Sequence, residues 1–283
     1  MIPTAKWRWF EAWIARQAER RITATFGEVW VEGLERLAEA SVAGSAVVVA
    51  NHSSWWDGMV LLYLSRRLLQ RDVYCLMSAE GLRRHPFFIR GGAFGVDQAR
   101  PGDGAAAVRY AATLLRGYEG RVLWIFPQGQ ERPPSEALKF ESGAAVIARL
   151  SRAPVVPVGI RYLFMGEERP RLLVSVGDAI PYARARGIEE ARAQQERAVQ
   201  EALARIDRAC EQPGGAGFER VHRRAPGALD RFATWMLGAI TRPRGLPQPQ
   251  PQPQLSAEDQ TPRALPSAAG RAAGESSPAK SLA

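Results

Sequence analysis

Between about residue 42 and residue 180, short apolar runs alternate with stretches in which apolar positions recur every three or four residues. Val47–Asn51 is a β-branched run that stops abruptly in polar residues, and it predicts a strand. Val73–Ser78, Ala93–Asp97, Arg121–Phe126, Val155–Tyr162 and Leu172–Val176 predict five more. Met59–Leu69, Gly104–Gly117 and Ser142–Ser151 predict helices. In the second of these, Asp103 reads as the N-cap and Val108, Ala111 and Leu115 share one face. Strand and helix in alternation predict an α/β fold: a mostly parallel central sheet flanked by helices. Pro154 and Pro157 punctuate one apolar strand, which predicts an edge position or a bulge there.

The ends of the chain read differently. Over residues 5–26, Trp7, Phe10, Ile14, Ala18 and Ile22 fall at helical spacing, with Trp9 and Trp13 beside them and Arg8, Arg16, Arg20 and Arg21 on much of the other face. Tryptophan and arginine on one amphipathic helix suit a membrane interface. Packing on the domain's own core is the competing reading. Residues 188–211 predict a long helix, Gln212–Gly217 a break, and Phe218–Ile240 another helix carrying Phe232, Trp235, Met236 and Ile240. Beyond Pro243 the chain turns to Pro-Gln repeats and then Ser, Ala, Gly and Pro, a composition too poor in apolar residues to fold. The expected organisation is an N-terminal amphipathic helix over 1–26, a domain over 27–241 and a disordered tail over 242–283.

Charge narrows the class of partner. The net charge is +9; the tail contributes +2, so the body keeps +7 and an anionic partner is expected. The nucleic-acid reading lacks a helix-turn-helix, zinc or RNA-binding signature, and the arginines are spread along the chain, so no nucleic acid is expected. Cys75 and Cys210 lie far apart, with no disulfide framework and no metal-ligand spacing, which points to a reducing compartment and no metal. No secretory signal and no spanning segment of ~20 apolar residues are visible.

The chemistry concentrates where strands are expected to end. Ligands of open α/β sheets bind at the carboxyl ends of strands. His52 directly follows the Val47–Asn51 run, and histidine serves as a base near neutral pH. Asp57, five residues on, is placed to turn back and accept a hydrogen bond from the other ring nitrogen, which orients the imidazole. Ser53 and Ser54 permit the compact turn, and their hydroxyls are candidate caps for the next helix. No Gly-x-Ser-x-Gly elbow accompanies the pair, so a dyad that activates a substrate hydroxyl is the simplest reading. A second such site follows the strand at Arg121–Phe126: Pro127 stops the strand and Gly129 lets backbone approach a ligand, within Phe126-Pro127-Gln128-Gly129-Gln130-Glu131-Arg132. Lys139, Phe140 and Gly143 come after it.

Taken together, these blocks resemble the glycerolipid acyltransferases, the family of 1-acylglycerol-3-phosphate acyltransferase. Asn51-His52-x-x-x-x-Asp57 is similar to that family's first motif and Gly92-Ala93-Phe94-Gly95-Val96-Asp97 to its second. Phe126-Pro127-Gln128-Gly129 resembles its Phe-Pro-Glu-Gly-Thr-Arg-Ser block, and Val156-Pro157-Val158 its fourth. The resemblance covers roughly residues 25–210. It implies transfer of an acyl group from a thioester of coenzyme A or acyl carrier protein to a hydroxyl of a lipid, with His52 as general base and Asp57 orienting it. It implies no metal, no cofactor and no covalent acyl-enzyme. Phe126, Pro127, Gln128, Gly129, Gln130, Arg132, Lys139 and Arg100 are the residues it places at the substrates. Trp55 and Trp56 are expected either to wall the acyl chain or to pack in the core.

The third block departs from the family. Gln128 stands for its glutamate, Gln130 for its threonine and Glu131 for its arginine, with Arg132 one position late. In the second block Gln98 stands for the arginine after the aspartate, with Arg100 two positions on. Losing a guanidinium and gaining a carboxylate disfavours a phosphate monoester and suits neutral hydroxyls. The acceptor is therefore expected to be a lysophosphatidic acid-type glycerolipid or a glycosylated lipid, such as a carotenoid glycoside. Because acyl thioesters are cytosolic and the acceptor lies in the bilayer, a peripheral position on the cytoplasmic face is expected. The altered block admits one alternative, a non-catalytic membrane-surface protein that keeps the fold.

Overall fold

The computed structural model describes residues 1–211, 217–224 and 236. Eight strands form one sheet: β1 (Glu28–Glu32), β2 (Ala46–Ala50), β3 (Asp72–Ser78), β4 (Ala93–Val96), β5 (Arg121–Ile125), β6 (Val155–Leu163), β7 (Arg171–Val176) and β8 (Glu219–Arg223). Their order across the sheet is β4-β3-β5-β2-β6-β7-β1-β8. Five neighbouring pairs are parallel; only β6 with β7 and β1 with β8 are antiparallel. The mostly parallel α/β sheet expected from the sequence is the one observed.

β2 lies at the centre of the domain. Its residues Ala46, Val47, Val48, Val49 and Ala50 are all buried, because the sheet is covered on both faces. On one face Val48, Ala50 and Trp124 pack with α1 (Arg8–Thr25) and α3 (Asp57–Leu61), which continues in π-helical form over Leu62–Leu68. On the other, Val47, Val49, Leu123 and Ile125 pack with α6 (Asp103–Leu115), α7 (Gly143–Ser151) and α8 (Ile188–Glu211). Shorter helices α2 (Leu34–Ala40), α4 (Ala79–Arg84) and α5 (Phe88–Gly91) complete the connections.

α1 packs on the domain's own core and leaves its tryptophans outside. Ile14, Ala15, Ala18 and Ile22 are buried in the main core, and buried Glu11 accepts from the Val73 backbone N–H at 3.1 Å, tying the helix to β3. Trp7, Trp9 and Trp13 stay exposed on the opposite side. The helix begins at Arg8, three residues later than the periodicity suggests.

Three expectations change, and one strand is added. The proline-punctuated strand β6 is central rather than an edge, lying between β2 and β7. Pro157 is tolerated because its carbonyl, which accepts from Gly177, faces the β7 side, where ladder pairing starts only at Val158; the missing N–H faces the same way. Asp103 is not the N-cap of α6: Gly102 holds that position in left-handed backbone, and the Asp103 carboxylate instead accepts the Asp97 N–H at 2.8 Å. Glu219–Arg223, expected as the start of a helix, adds to the sheet as β8. Apart from Met236, residues 225–240 of that expected helix, residues 212–216 of the Gln212–Gly217 break and the tail over 242–283 lie outside the described residues. β1 went unforeseen, since Glu28-Val29-Trp30-Val31-Glu32 carries charges at both ends; Glu28 is buried only because Arg171 and Arg220 pair with it at 3.3 and 3.0 Å.

Gly159 sets how closely α8 seats on the sheet. A Cβ there would meet the Ala202 carbonyl carbon and the Leu203 nitrogen at 2.9 Å, and both are backbone atoms that cannot swing away. Gly159→Ala is expected to cost about 1–3 kcal/mol, read as a lower midpoint in urea or thermal unfolding. An unchanged midpoint would show that α8 is not held this close.

Candidate active site

The site starts where β2 runs out. Asn51 is buried, and its side chain extends the ladder by one rung: Nδ2 donates to the Ile160 carbonyl at 3.0 Å and Oδ1 accepts the Ile160 N–H at 2.8 Å. The next peptide is fixed on both sides. The His52 N–H donates to Gln128 Oε1 at 2.7 Å, and the His52 carbonyl accepts the Arg132 N–H at 2.8 Å. The imidazole stacks on Phe126, with ring centroids 4.6 Å apart and 27° between planes. Backbone and ring are thus both held before any substrate arrives.

Asp57 turns back as expected. Its Oδ2 lies 2.7 Å from His52 Nδ1 and also accepts the backbone N–H groups of Ser53 and Ser54 at 2.9 and 3.1 Å. Its Oδ1 accepts from the Tyr162 hydroxyl at 2.6 Å. The carboxyl is fully buried, so each of these donors replaces water the group has lost. With Nδ1 directed at Asp57, Nε2 is the nitrogen left for chemistry. The serines act through their backbone and not as helix caps: no side chain caps α3, and Ser54 Oγ accepts only the Trp56 N–H of the turn at 3.2 Å. Tyr162 was not anticipated. It stands 105 residues from Asp57 in sequence, on β6, and no local motif announces it. Burial first, then the Asp57 carboxylate, hold its phenol well above the ordinary range, so it remains a donor.

His52 lines a cavity of about 610 Å³. Ile14, Leu61, Leu62, Val73, Phe88, Val108, Ala144 and Ile147 give it a predominantly apolar wall. Trp55 joins that wall, whereas Trp56 packs edge-on against Phe26 in the core. Phe126, Pro127, Gly129 and Gln130 line it as expected, together with Gln98, Glu131, Glu141 and His85. Gly129 has left-handed backbone at φ 76°, and a Cβ there would meet Gln98 Nε2 at 3.2 Å, so the second and third blocks come together at this glycine.

The expected basic residues do not join them. Among the described residues no arginine or lysine lines the apolar cavity. Gln128 and Arg132 face a second cavity of about 230 Å³, which His52 also lines, with Asn51, Ser53, Arg161 and Asp207, and Arg132 pairs with Glu136 at 3.5 Å. Arg100 and Lys139 are exposed and line neither cavity. Gln128, in particular, spends its amide oxygen on the His52 backbone.

Comparison with known proteins places this arrangement. The acyltransferase family pattern matches residues 28–161. A 1-acyl-sn-glycerol-3-phosphate acyltransferase of Bacillus subtilis (strain 168) is 28% identical over 125 residues, which is 43% of this chain and 58% of that protein. A Caenorhabditis elegans protein, acl-2, provisionally named a 1-acyl-sn-glycerol-3-phosphate acyltransferase, is 29% identical over 124 residues, 42% of each chain. The match thus spans about half the length of these relatives. The crystal structure of the 1-acyl-sn-glycerophosphate (LPA) acyltransferase PlsC from Thermotoga maritima superposes with a TM-score of 0.51 at 20% identity, over 69% of this chain and 79% of that one, and so shares the fold. Residues 28–161 thus carry an acyltransferase-family region, and the chain is similar in sequence to 1-acyl-sn-glycerol-3-phosphate acyltransferases and shares a fold with one of them.

Proposed function

We propose that the protein is an O-acyltransferase that moves a fatty acyl group from a thioester to a hydroxyl of a lipid acceptor, with His52 as general base. The observation that carries this reading is the 2.7 Å His52–Asp57 pair set in the wall of a 610 Å³ apolar cavity. The acyl chain occupies that cavity, where each buried methylene contributes about 0.8 kcal/mol. Nε2 of His52 takes the proton of the acceptor hydroxyl as its oxygen attacks the thioester carbonyl. The new C–O bond forms, the C–S bond breaks, and the imidazolium returns the proton to the departing thiolate. Asp57 keeps the ring oriented and stabilises it while it is charged. The donor is a thioester of coenzyme A or acyl carrier protein, and no metal or cofactor enters the reaction.

The acceptor reading follows from the cavity wall. The named relatives act on 1-acyl-sn-glycerol-3-phosphate or are named for it. Here the polar lining of the apolar cavity includes Gln98, Gln130, Glu131, Glu141 and His85, with no guanidinium or ammonium among the described residues that line it. Such a wall hydrogen-bonds neutral hydroxyls better than a phosphate dianion, which favours a glycosylated lipid over lysophosphatidic acid.

The lipid side of the reaction brings the protein to the cytoplasmic face of a membrane. Trp7, Trp9 and Trp13 stand exposed on α1 beside exposed Arg8, Arg16 and Arg20, while Ile14 on the inner side of the same helix lines the cavity. An anionic surface attracts such arginines by about 1 kcal/mol each. Among the described residues no helix is long and apolar enough to cross a membrane; the exposed tryptophans and arginines of α1 are what support a peripheral contact.

Two experiments test this reading. Thiol release from an acyl-coenzyme A, and from an acyl carrier protein, is measured with wild type and His52→Ala against a monoglycosyl lipid, lysophosphatidic acid and buffer. Release that needs the sugar lipid and falls at least 10²-fold in the variant is expected; release with lysophosphatidic acid alone would reverse the acceptor assignment, and release untouched by the variant would remove His52 from the chemistry. Separately, a Trp7→Ser, Trp9→Ser, Trp13→Ser triple variant is expected to sediment with anionic vesicles several-fold less than wild type at equal helix content. Equal sedimentation would place the membrane contact elsewhere.

A further inference from the structure

The Asp57 carboxyl has two oxygens, and the dyad uses one. His52 Nδ1 and the Ser53 and Ser54 N–H groups all point at Oδ2, leaving Oδ1 to Tyr162 at 2.6 Å. The phenol is placed for that contact by its own packing. Its ring stacks on Phe26 at 5.7 Å and 29°, and Phe26 in turn meets Trp56 edge-on at 5.1 Å. Tyr162 sits on β6, two residues beyond Ile160, the residue that Asn51 ties to the end of β2. The same β2–β6 junction that carries His52 therefore carries the donor to Asp57, and both ends of the pair are referenced to one piece of sheet.

We propose that Tyr162 is a positioning residue, a third member behind His52 and Asp57, which fixes the carboxylate plane and draws charge from Oδ1. The inference rests on the reading of His52 as general base for its consequence in catalysis, but not for its consequence in the free protein. A donor on Oδ1 stabilises negative charge on the carboxylate, and so weakens its hold on a proton shared with Nδ1. Remove that donor and Asp57 attracts positive charge on the imidazole more strongly, so the imidazole keeps its added proton to higher pH. The charged and titratable groups facing the phenol are Asp57 at the start of α3 and Glu131 after β5; Phe26, which stacks on it, and Trp56 behind Phe26 carry no charge. A purely structural tyrosine would not move a histidine titration.

The test is Tyr162→Phe, which keeps the ring and deletes only the hydroxyl. In the intact, substrate-free protein, the His52 imidazole resonances are followed by NMR against pH, assigned by their loss in His52→Ala. The midpoint is expected to rise by roughly 0.5–1 pH unit in Tyr162→Phe. The same substitution placed in an Asp57→Asn background is expected to shift it by much less, because the carboxylate that transmits the effect is gone. A midpoint that stays put in Tyr162→Phe, in a variant whose unfolding is still cooperative, overturns the proposal; so does an equal shift with and without the Asp57 carboxylate. Should Tyr162→Phe fail to fold, Tyr162→His, which restores a donor on an aromatic ring, is read the same way against Tyr162→Leu, and equal His52 midpoints in the two overturn it. In the acyl-transfer assay the acid limb of kcat/KM is expected to move up in pH with the resonance, with a loss of about tenfold at its plateau. An unmoved limb beside a shifted resonance would count against His52 as the base while leaving the role of Tyr162 in place.

Discussion

A strand buried on both faces and hydrogen-bonded on both edges cannot leave its sheet without stranding backbone groups in the core. β2 is such a strand, with β5 on one side and β6 on the other. Everything at the site follows from how the chain solves its exit. The Asn51 amide takes both backbone groups of Ile160, so the ladder ends on a side chain and not on an orphaned pair. Gln128 and Arg132 then take the N–H and the carbonyl of His52. An unpaired buried backbone group costs about 1–3 kcal/mol, so these three contacts hold the histidine at the strand's end more firmly than a free loop could.

The dyad is built on the same economy. A fully buried carboxyl must recover several hydrogen bonds lost to water. Asp57 recovers them from two backbone N–H groups of its own turn, from Tyr162 on β6, and from His52. The imidazole is clamped between that carboxyl and the Phe126 ring, so one nitrogen is committed and the other is offered to the cavity. An apolar cavity beside a fixed polar pair is the arrangement an acyl chain and a nucleophilic hydroxyl both require.

The altered third block acquires a physical meaning in this setting. Gln128 faces the backbone of His52, where a carboxamide oxygen suffices to accept the N–H. Gln130 and Glu131 do reach the apolar cavity, whereas Arg132 is turned into the second cavity and paired with Glu136.

The fold class was legible because strand and helix periods are local properties: each of the six strands read from apolar runs exists, and the helices of the central region lie where their periodicity falls. His52 and Asp57 were legible for the same reason, since five residues of sequence suffice to close a turn. What stayed hidden depended on distant partners. β1 required Arg171 and Arg220 to neutralise Glu28, and β6 could hold a proline at the sheet's centre only because its antiparallel partner begins one residue later. Tyr162, Trp55 as distinct from Trp56, and the exclusion of Arg100 and Lys139 from the cavity were decided by which surfaces the packed sheet brings together. Sequence alone determined the chemistry that could stand at the end of β2. Only the tertiary structure decided which other groups share that space, because burial and hydrogen-bond satisfaction are properties of the whole packed chain.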